Sequence, residues 1–196
     1  MAHGDRARRA TRRLASLASH VGPRGTAIER ASTSAPTIDR PEAWVAASAS
    51  GECFGPGAWL AVDQARVDAF ARCTEDHQWI HRAGAVTQFG GPIAHGLLTA
   101  SLLPALMDGV LPRMGWVAQE INVGFNRLRF VSPVKVGARV RASAKLVSVR
   151  RLGKGAGGKG PDGTETVVSV TVSTDDEDSN AKPAMTCEWV TRQYAR

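Results

Sequence analysis

The sequence predicts an α+β fold in which an antiparallel sheet wraps around one long, buried helix. Two observations carry that expectation. The segment from Ile93 to Met107 is apolar nearly all round, as a helix enclosed by other elements must be. From Gly115 onward the pattern changes to period two, with runs rich in Val, Thr and aromatic residues near Trp116 to Phe130, Ala138 to Arg150, Thr164 to Ser173 and Ala184 to Tyr194. A buried helix followed by consecutive strands is the layer pattern of an α+β domain. The length of 196 residues with 43% hydrophobic composition supports one core without requiring a second.

Residues 1 to about 40 are rich in Arg, Ala, Ser and Thr and poor in aromatics, so they bury too little apolar surface to offset the entropy of ordering. We therefore expect a disordered basic extension over 1–40 and a folded domain over 41–196. The stretch Arg8 to Ala18 has the composition of a short basic amphipathic helix such as transit peptides carry. A plain solvated tail, or a start codon assigned too far upstream, explains the same letters. The domain itself is expected in the cytoplasm.

Pro41 to Ser50 is Ala-rich and predicts a short helix ended by Gly51. A strand is expected around Ala58 to Val62. Asp63 then N-caps a helix reaching about Cys73, with Val67, Phe70 and Ala71 at helical spacing as its buried stripe. Gly90-Gly91-Pro92 opens the buried helix, with proline where its missing N–H costs nothing. Gly153 to Gly163 and Asp175 to Asn180 read as turn regions between strands.

The formal charge of +7 would point to nucleic acid if it were spread over the fold. It is not. Eight arginines stand before residue 41 against Asp5, Glu29 and Asp39, a net +5, which leaves +2 for everything after Arg40. A nucleic-acid partner is therefore not expected. No run of 18 apolar residues occurs, so no membrane span is expected either. Cys53, Cys73 and Cys187 are odd in number and widely spaced, fitting neither a metal pattern nor a disulfide framework.

Asp76 and His81 stand five apart just beyond the end of the first long helix, at the kind of junction from which a scaffold presents functional side chains. A carboxylate beside an imidazole can hold a water between them, the equipment of general acid–base chemistry near neutral pH. A cap and a surface histidine fit the same spacing. His95-Gly96 falls in the first turn of the buried helix, where backbone N–H groups lack intrahelical partners and glycine admits a ligand close to the backbone. Tight helix–sheet packing explains the same glycine. On these residues alone both pairs of readings stand.

Asp76-His77-Gln78-Trp79-Ile80-His81, followed by Phe89-Gly90-Gly91-Pro92-Ile93-Ala94-His95-Gly96-Leu97-Leu98-Thr99, resembles the hydratase motif of the MaoC-like, (R)-specific enoyl-CoA hydratase family, and within it the NodN-like branch. The similarity continues through Ile121 to Phe130, Ser132-Pro133-Val134, Gly137 and Ala181 to Ala184. It implies a hot-dog fold, usually dimeric, acting on an acyl-CoA thioester without a metal or redox cofactor. The implied reaction is reversible addition of water to a trans-2-enoyl thioester, giving the (3R)-3-hydroxyacyl product. In that reading His81 takes the proton from water, Asp76 orients the water, and the Gly96 N–H, with His95 beside it, faces the thioester carbonyl. Gln78, where relatives carry Asn, braces the loop.

Two departures accompany the resemblance. The segment between His81 and Phe89 is shorter than the family's acidic loop, and Pro104 stands where some members carry a serine that orients the carboxylate, leaving Ser101 one turn earlier as the alternative. Competing expectations are a hot-dog thioesterase, which needs a carboxylate that Ile93 to Met107 lacks, and a non-catalytic acyl-thioester-binding partner subunit, in which the catalytic pair is expected to be lost, whereas Asp76 and His81 both remain. Arg127 and Arg129 are expected on a solvated sheet face, and His77 away from the site.

Overall fold

The computed structural model describes residues 37–153, 162–176 and 182–195. The chain enters through β1 (Thr37–Ile38), α1 (Pro41–Ala47) and a single 3₁₀ turn over Ser48–Ser50 that stops at Gly51 in the left-handed region. Short strands β2 (Cys53–Phe54) and β3 (Leu60–Ala61) lead to α2 (Gln64–Thr74), whose N-terminus is capped by Asp63 accepting from the Arg66 amide at 2.8 Å. The buried helix follows as α3 (Gly96–Ser101) and α4 (Leu103–Leu106), then β4 (Arg113–Met114) and the long strands β5 (Val117–Phe130), β6 (Arg139–Leu152), β7 (Gly163–Thr174) and β8 (Met185–Ala195). The expected disordered extension lies, up to residue 36, outside the described residues. Thr37 and Ile38 pair in parallel with Arg113 and Met114, which carries the ordered chain a few residues upstream of the expected boundary at 41.

The main sheet runs β2–β6–β7–β8–β5, with β3 also on β6, and every pairing in it is antiparallel. One face alternates into the core: Val140, Ala142, Ala144 and Leu146 from β6, Val168, Val170 and Val172 from β7, and Met185, Cys187 and Trp189 from β8. Against it lie Leu98, Leu102, Leu103 and Leu106 of the helix. Burying each such aliphatic side chain stabilises the fold by about 1.5–3 kcal/mol, so this layer dominates the energetics. A register shift between Leu146 and Ser148 turns Val147 outward and returns Val149 to the core face.

The expected helix from Ile93 to Met107 requires two corrections. It starts at Gly96, because residues 92–94 are extended: the Ala94 amide donates to the Val134 carbonyl, the Val136 amide to the Pro92 carbonyl, and Ile93 bridges Lys135. It is interrupted at Leu102, because Pro104 has no amide to offer the Ala100 carbonyl and its ring crowds that group. The register survives the break, with Leu106 donating to the Leu102 carbonyl and Met107 to that of Leu103. Nor is the helix covered all round: Leu97 is 61% exposed, and Ser101, Pro104 and Ala105 share its open side.

Beyond the aliphatic layer the same sheet face turns polar. Gln193 is fully buried; its carbonyl oxygen accepts from the hydroxyls of Thr164 and Thr166, and its amide nitrogen donates to Glu120 and to Thr191. Trp44 of α1 closes the cluster by donating its indole N–H to the Thr166 hydroxyl at 2.9 Å. Each member of this chain of bonds has a partner, the condition under which a buried polar network rigidifies a core.

Among the described residues no helix is long and apolar enough to cross a membrane. All three cysteines are free. Cys53 and Cys73 are exposed, whereas burial pushes the Cys187 thiol up to about 11. Thiol titration of the native protein should modify two cysteines quickly, and the third only once denaturant opens the sheet.

Candidate active site

The site is assembled at the C-terminal end of α2. The helix finishes at Glu75, a non-glycine residue with φ of 60°, and this left-handed step turns the chain out so that Asp76 to Gln78 form an irregular link into a 3₁₀ turn over Trp79–His81. Four bonds hold the link. Arg82 clamps it by donating from Nε and Nη2 to the His77 carbonyl at 3.1 and 2.8 Å. Gln64, in the first turn of α2, donates from Nε2 to the His81 carbonyl at 2.9 Å. The Gln78 amide closes an Asx turn on Asp76 Oδ1 at 3.4 Å.

His81 is buried, with 7% of its surface exposed, and its ring is tied at 2.7 Å from Nδ1 to the carbonyl of Ile93. A carbonyl only accepts, so the neutral ring carries its proton on Nδ1 and keeps a lone pair on Nε2. The Ile93 amide in turn donates to the Ile80 carbonyl at 3.1 Å, so one residue fixes both the turn and the ring. His95 is more deeply buried, at 2%. Its Nε2 lies 3.0 Å from the Asp76 carbonyl and must donate to it, which leaves the lone pair on Nδ1. The two imidazoles stack with centroids 3.7 Å apart and planes 28° apart, and Phe70 packs on the His95 ring. Asp76, His81 and His95 each offer one ligand atom, all within 4.8 Å of one another.

Asp76, Gln78, His81, His95 and Gly96 all line one cleft of about 560 Å³, with Thr99, Ile80, Phe89, Leu97, Phe130 and Val131 supplying much of the rest of its wall. Its volume is in the range of small-molecule sites, and its wall is largely apolar with a few convergent polar groups. A larger hollow of about 950 Å³, between α4 and β5, contains none of the expected site residues. The five residues singled out in the sequence therefore meet in space. A Cβ on Gly96 would lie 2.8 Å from the Phe130 ring, so close packing demands glycine here whatever its amide also does.

Other expectations resolve differently. The Ser101 hydroxyl donates back to the Leu97 carbonyl at 2.8 Å on the exposed side of α3 and does not brace Asp76. Thr99, buried and one turn beyond Gly96, is the helix hydroxyl that lines the cleft; its spacing from His95 was the available signal. Sequence reasoning also missed Gln64, Arg82 and Phe130, whose contacts depend on tertiary folding. His77 approaches Glu75 at 3.4 Å and does not line the cleft; it lines a smaller hollow of about 210 Å³ that shares Asp76, Gln78 and His81 with it. Arg127 and Arg129 are exposed, the former near Glu188 at 3.5 Å.

With this geometry in place, the chain can be set beside known proteins. Residues 45–169 match the model of the MaoC like domain. The chain belongs to the MaoC-like family. It is 42% identical over 152 residues to 3-hydroxyacyl-thioester dehydratase Z of Mycobacterium tuberculosis, covering 76% of this chain and 93% of that protein. To Nodulation protein N of Rhizobium leguminosarum bv. viciae it is 39% identical over 145 residues, 72% of this chain and 84% of the relative. Among solved structures, the (R)-hydratase of A. caviae involved in PHA biosynthesis superposes with a TM-score of 0.53 at 27% identity, over 72% of this chain and 93% of that one. A Mycobacterium tuberculosis protein with a double hot-dog fold aligns over 74% of this MaoC-like chain and 42% of its own, with a TM-score of 0.53 and 16% identity. The fold is the hot-dog fold, and the protein is a hydratase or dehydratase of the MaoC type.

Proposed function

We propose that this protein is a (3R)-specific enoyl-thioester hydratase that adds water reversibly across trans-2-enoyl-CoA. The observation that carries the reading is the tether from His81 Nδ1 to the Ile93 carbonyl, which leaves an unprotonated Nε2 in the cleft beside the Asp76 carboxylate. That nitrogen takes a proton from a water oriented by Asp76 while the oxygen bonds to C3 of the enoyl group. The π electrons move toward the thioester carbonyl, where the Gly96 N–H stabilises the enolate oxygen. Proton return at C2 completes the 3-hydroxyacyl thioester. With α3 only six residues long, the amide itself rather than a helix dipole carries that stabilisation. Stereochemistry at C3 follows the resemblance to the (R)-hydratase, and the reaction as written uses no metal or redox cofactor.

Gln78 enters through its backbone, as the donor to Asp76 and the acceptor from the His81 amide at 3.2 Å. His95 holds the Asp76 carbonyl and backs the His81 ring, a positioning role. The test is loss of the enoyl-thioester absorbance with trans-crotonyl-CoA and a medium-chain enoyl-CoA, with chiral analysis of the product. Bleaching with formation of the (3R) alcohol supports the reading. A chain that binds the thioester but is silent at every chain length would instead be a partner subunit, and release of free thiol would indicate a thioesterase.

The same reading makes the protein a homodimer. Strand β5 pairs with β8 along one edge and presents Ile121, Val123 and Phe125, each at least 40% exposed, along a 14-residue strand. An edge of that length and apolarity is an aggregation hazard unless a partner covers it. Light scattering on a gel-filtration column is expected to give a dimer for the wild type and a monomer for Val123→Lys. Three free thiols fit a reducing compartment such as the cytoplasm.

A further inference from the structure

We infer that the catalytic cleft also contains a binding site for a divalent transition-metal ion of the zinc class, formed by Asp76, His81 and His95, whose occupancy inhibits hydration. The inference is carried by the buried Nδ1 of His95, a group to which the hydration chemistry gives no task. Its ring is 2% exposed, Nε2 is committed to the Asp76 carbonyl, and Nδ1 is buried without a hydrogen-bond partner among the described residues. An unsatisfied buried acceptor is destabilising, so the site favours whatever can complete it.

The neighbouring groups narrow what that species is. His81 keeps its lone pair on Nε2, because Nδ1 is committed to Ile93, and Asp76 adds an anionic oxygen. One ligand atom from each of the three side chains lies within 4.8 Å of the others, and each neutral ring keeps one lone pair beside the carboxylate. Two imidazoles and one carboxylate suit zinc or another first-row divalent ion with room for a water. Bonds of about 2.0–2.1 Å in tetrahedral geometry require ligand atoms roughly 3.3 Å apart, so the groups must draw inward. Asp76 is exposed and stands on the irregular link, where such movement is cheapest.

The outer contacts are in place as well. Metal-binding histidines almost always donate their other N–H to a carbonyl or carboxylate, which fixes the ring. Both rings do so here, His81 to Ile93 and His95 to Asp76. An ion bound to His81 Nε2 takes the lone pair that the hydration step needs, so metal and turnover are mutually exclusive.

The experiment uses the full chain, washed with chelator and titrated with Co(II), read by its visible absorption, with Zn(II) added afterwards as competitor. One equivalent of cobalt is expected to give bands of a nitrogen and oxygen site, without sulfur charge transfer, that zinc abolishes. In Asp76→Asn, whose exposed side chain makes misfolding a minor concern, and in His95→Gln, binding should weaken by more than the roughly 10–100-fold typical of losing an outer contact. Cys53→Ser/Cys73→Ser should bind as wild type does. Absence of stoichiometric binding, or binding unchanged in Asp76→Asn, overturns the proposal and assigns any cobalt to the tail or surface. The optical readout is independent of turnover: protein that hydrates nothing when metal-free yet binds cobalt would refute the function and leave the metal site standing, whereas in active protein one equivalent of cobalt is expected to abolish hydration.

Discussion

Asp76→Asn and His81→Ala will each lower the rate of enoyl-thioester hydration by at least ~10²-fold, the lower range for removing a general acid–base group. That factor corresponds to about 2.7 kcal/mol of transition-state stabilisation. The two variants fail for different reasons. Asn preserves the shape of Asp76 and can still accept from the Gln78 amide, so only the charge and its hold on water are lost. Ala at 81 deletes the base and also its tether to Ile93, so the 3₁₀ turn loosens as well. Asp76→Asn should therefore keep its melting temperature while losing turnover. Ser101→Ala, whose hydroxyl bonds only its own helix, should hydrate at the wild-type rate. Variants at 76 and 81 with full activity would place the chemistry elsewhere.

Most of the sheet was legible because its signal is local. Strands β6 to β8 begin and end close to where alternation starts and stops, since one face is buried and a shift of one residue would expose it; β5 keeps its expected bounds through its pairing with β8, although none of its residues is buried. The buried helix was legible as an element but not in its bounds. Ile93 and Ala94 are apolar enough to continue it, yet their backbone groups find better partners on Ile80 and Val134, contacts between segments far apart in sequence. Pro104 was visible throughout, but its effect depended on whether the chain resumed helix beyond it, which the packing of Leu103 and Leu106 decides.

The site was legible in part. Asp76, His81 and Gly96 were marked by the hydratase motif, and all three line one cleft. What the motif does not encode is the stacking of His95 on His81, or which nitrogen of each ring is free, because those follow from carbonyls contributed by Ile93 and Asp76. Gln64 braces the loop through one bond to the His81 carbonyl and Arg82 through a pair of bonds to the His77 carbonyl, and no pattern in the sequence distinguishes them from solvated side chains.

Trp44→Ala will destabilise the fold by about 3–5 kcal/mol, the usual cost of truncating a buried tryptophan. Trp44 is completely buried, the largest of the fully buried side chains, and belongs to the central core cluster. Removing it leaves a cavity where α1 meets the sheet and takes the indole donor from the Thr166 hydroxyl. In a domain of this size such a loss lowers the melting temperature by on the order of 10 °C, read by thermal or urea unfolding. Trp44→Phe separates the two contributions, since it keeps most of the volume and removes only the N–H; it should cost about 1 kcal/mol if Thr166 can turn to another partner and more if it cannot. Because Trp44 does not line the catalytic cleft, the folded Trp44→Ala protein should keep its hydration rate at low temperature. A loss confined to stability ties α1 to the sheet alone, whereas a loss of rate at full stability would mean that α1 communicates with the site.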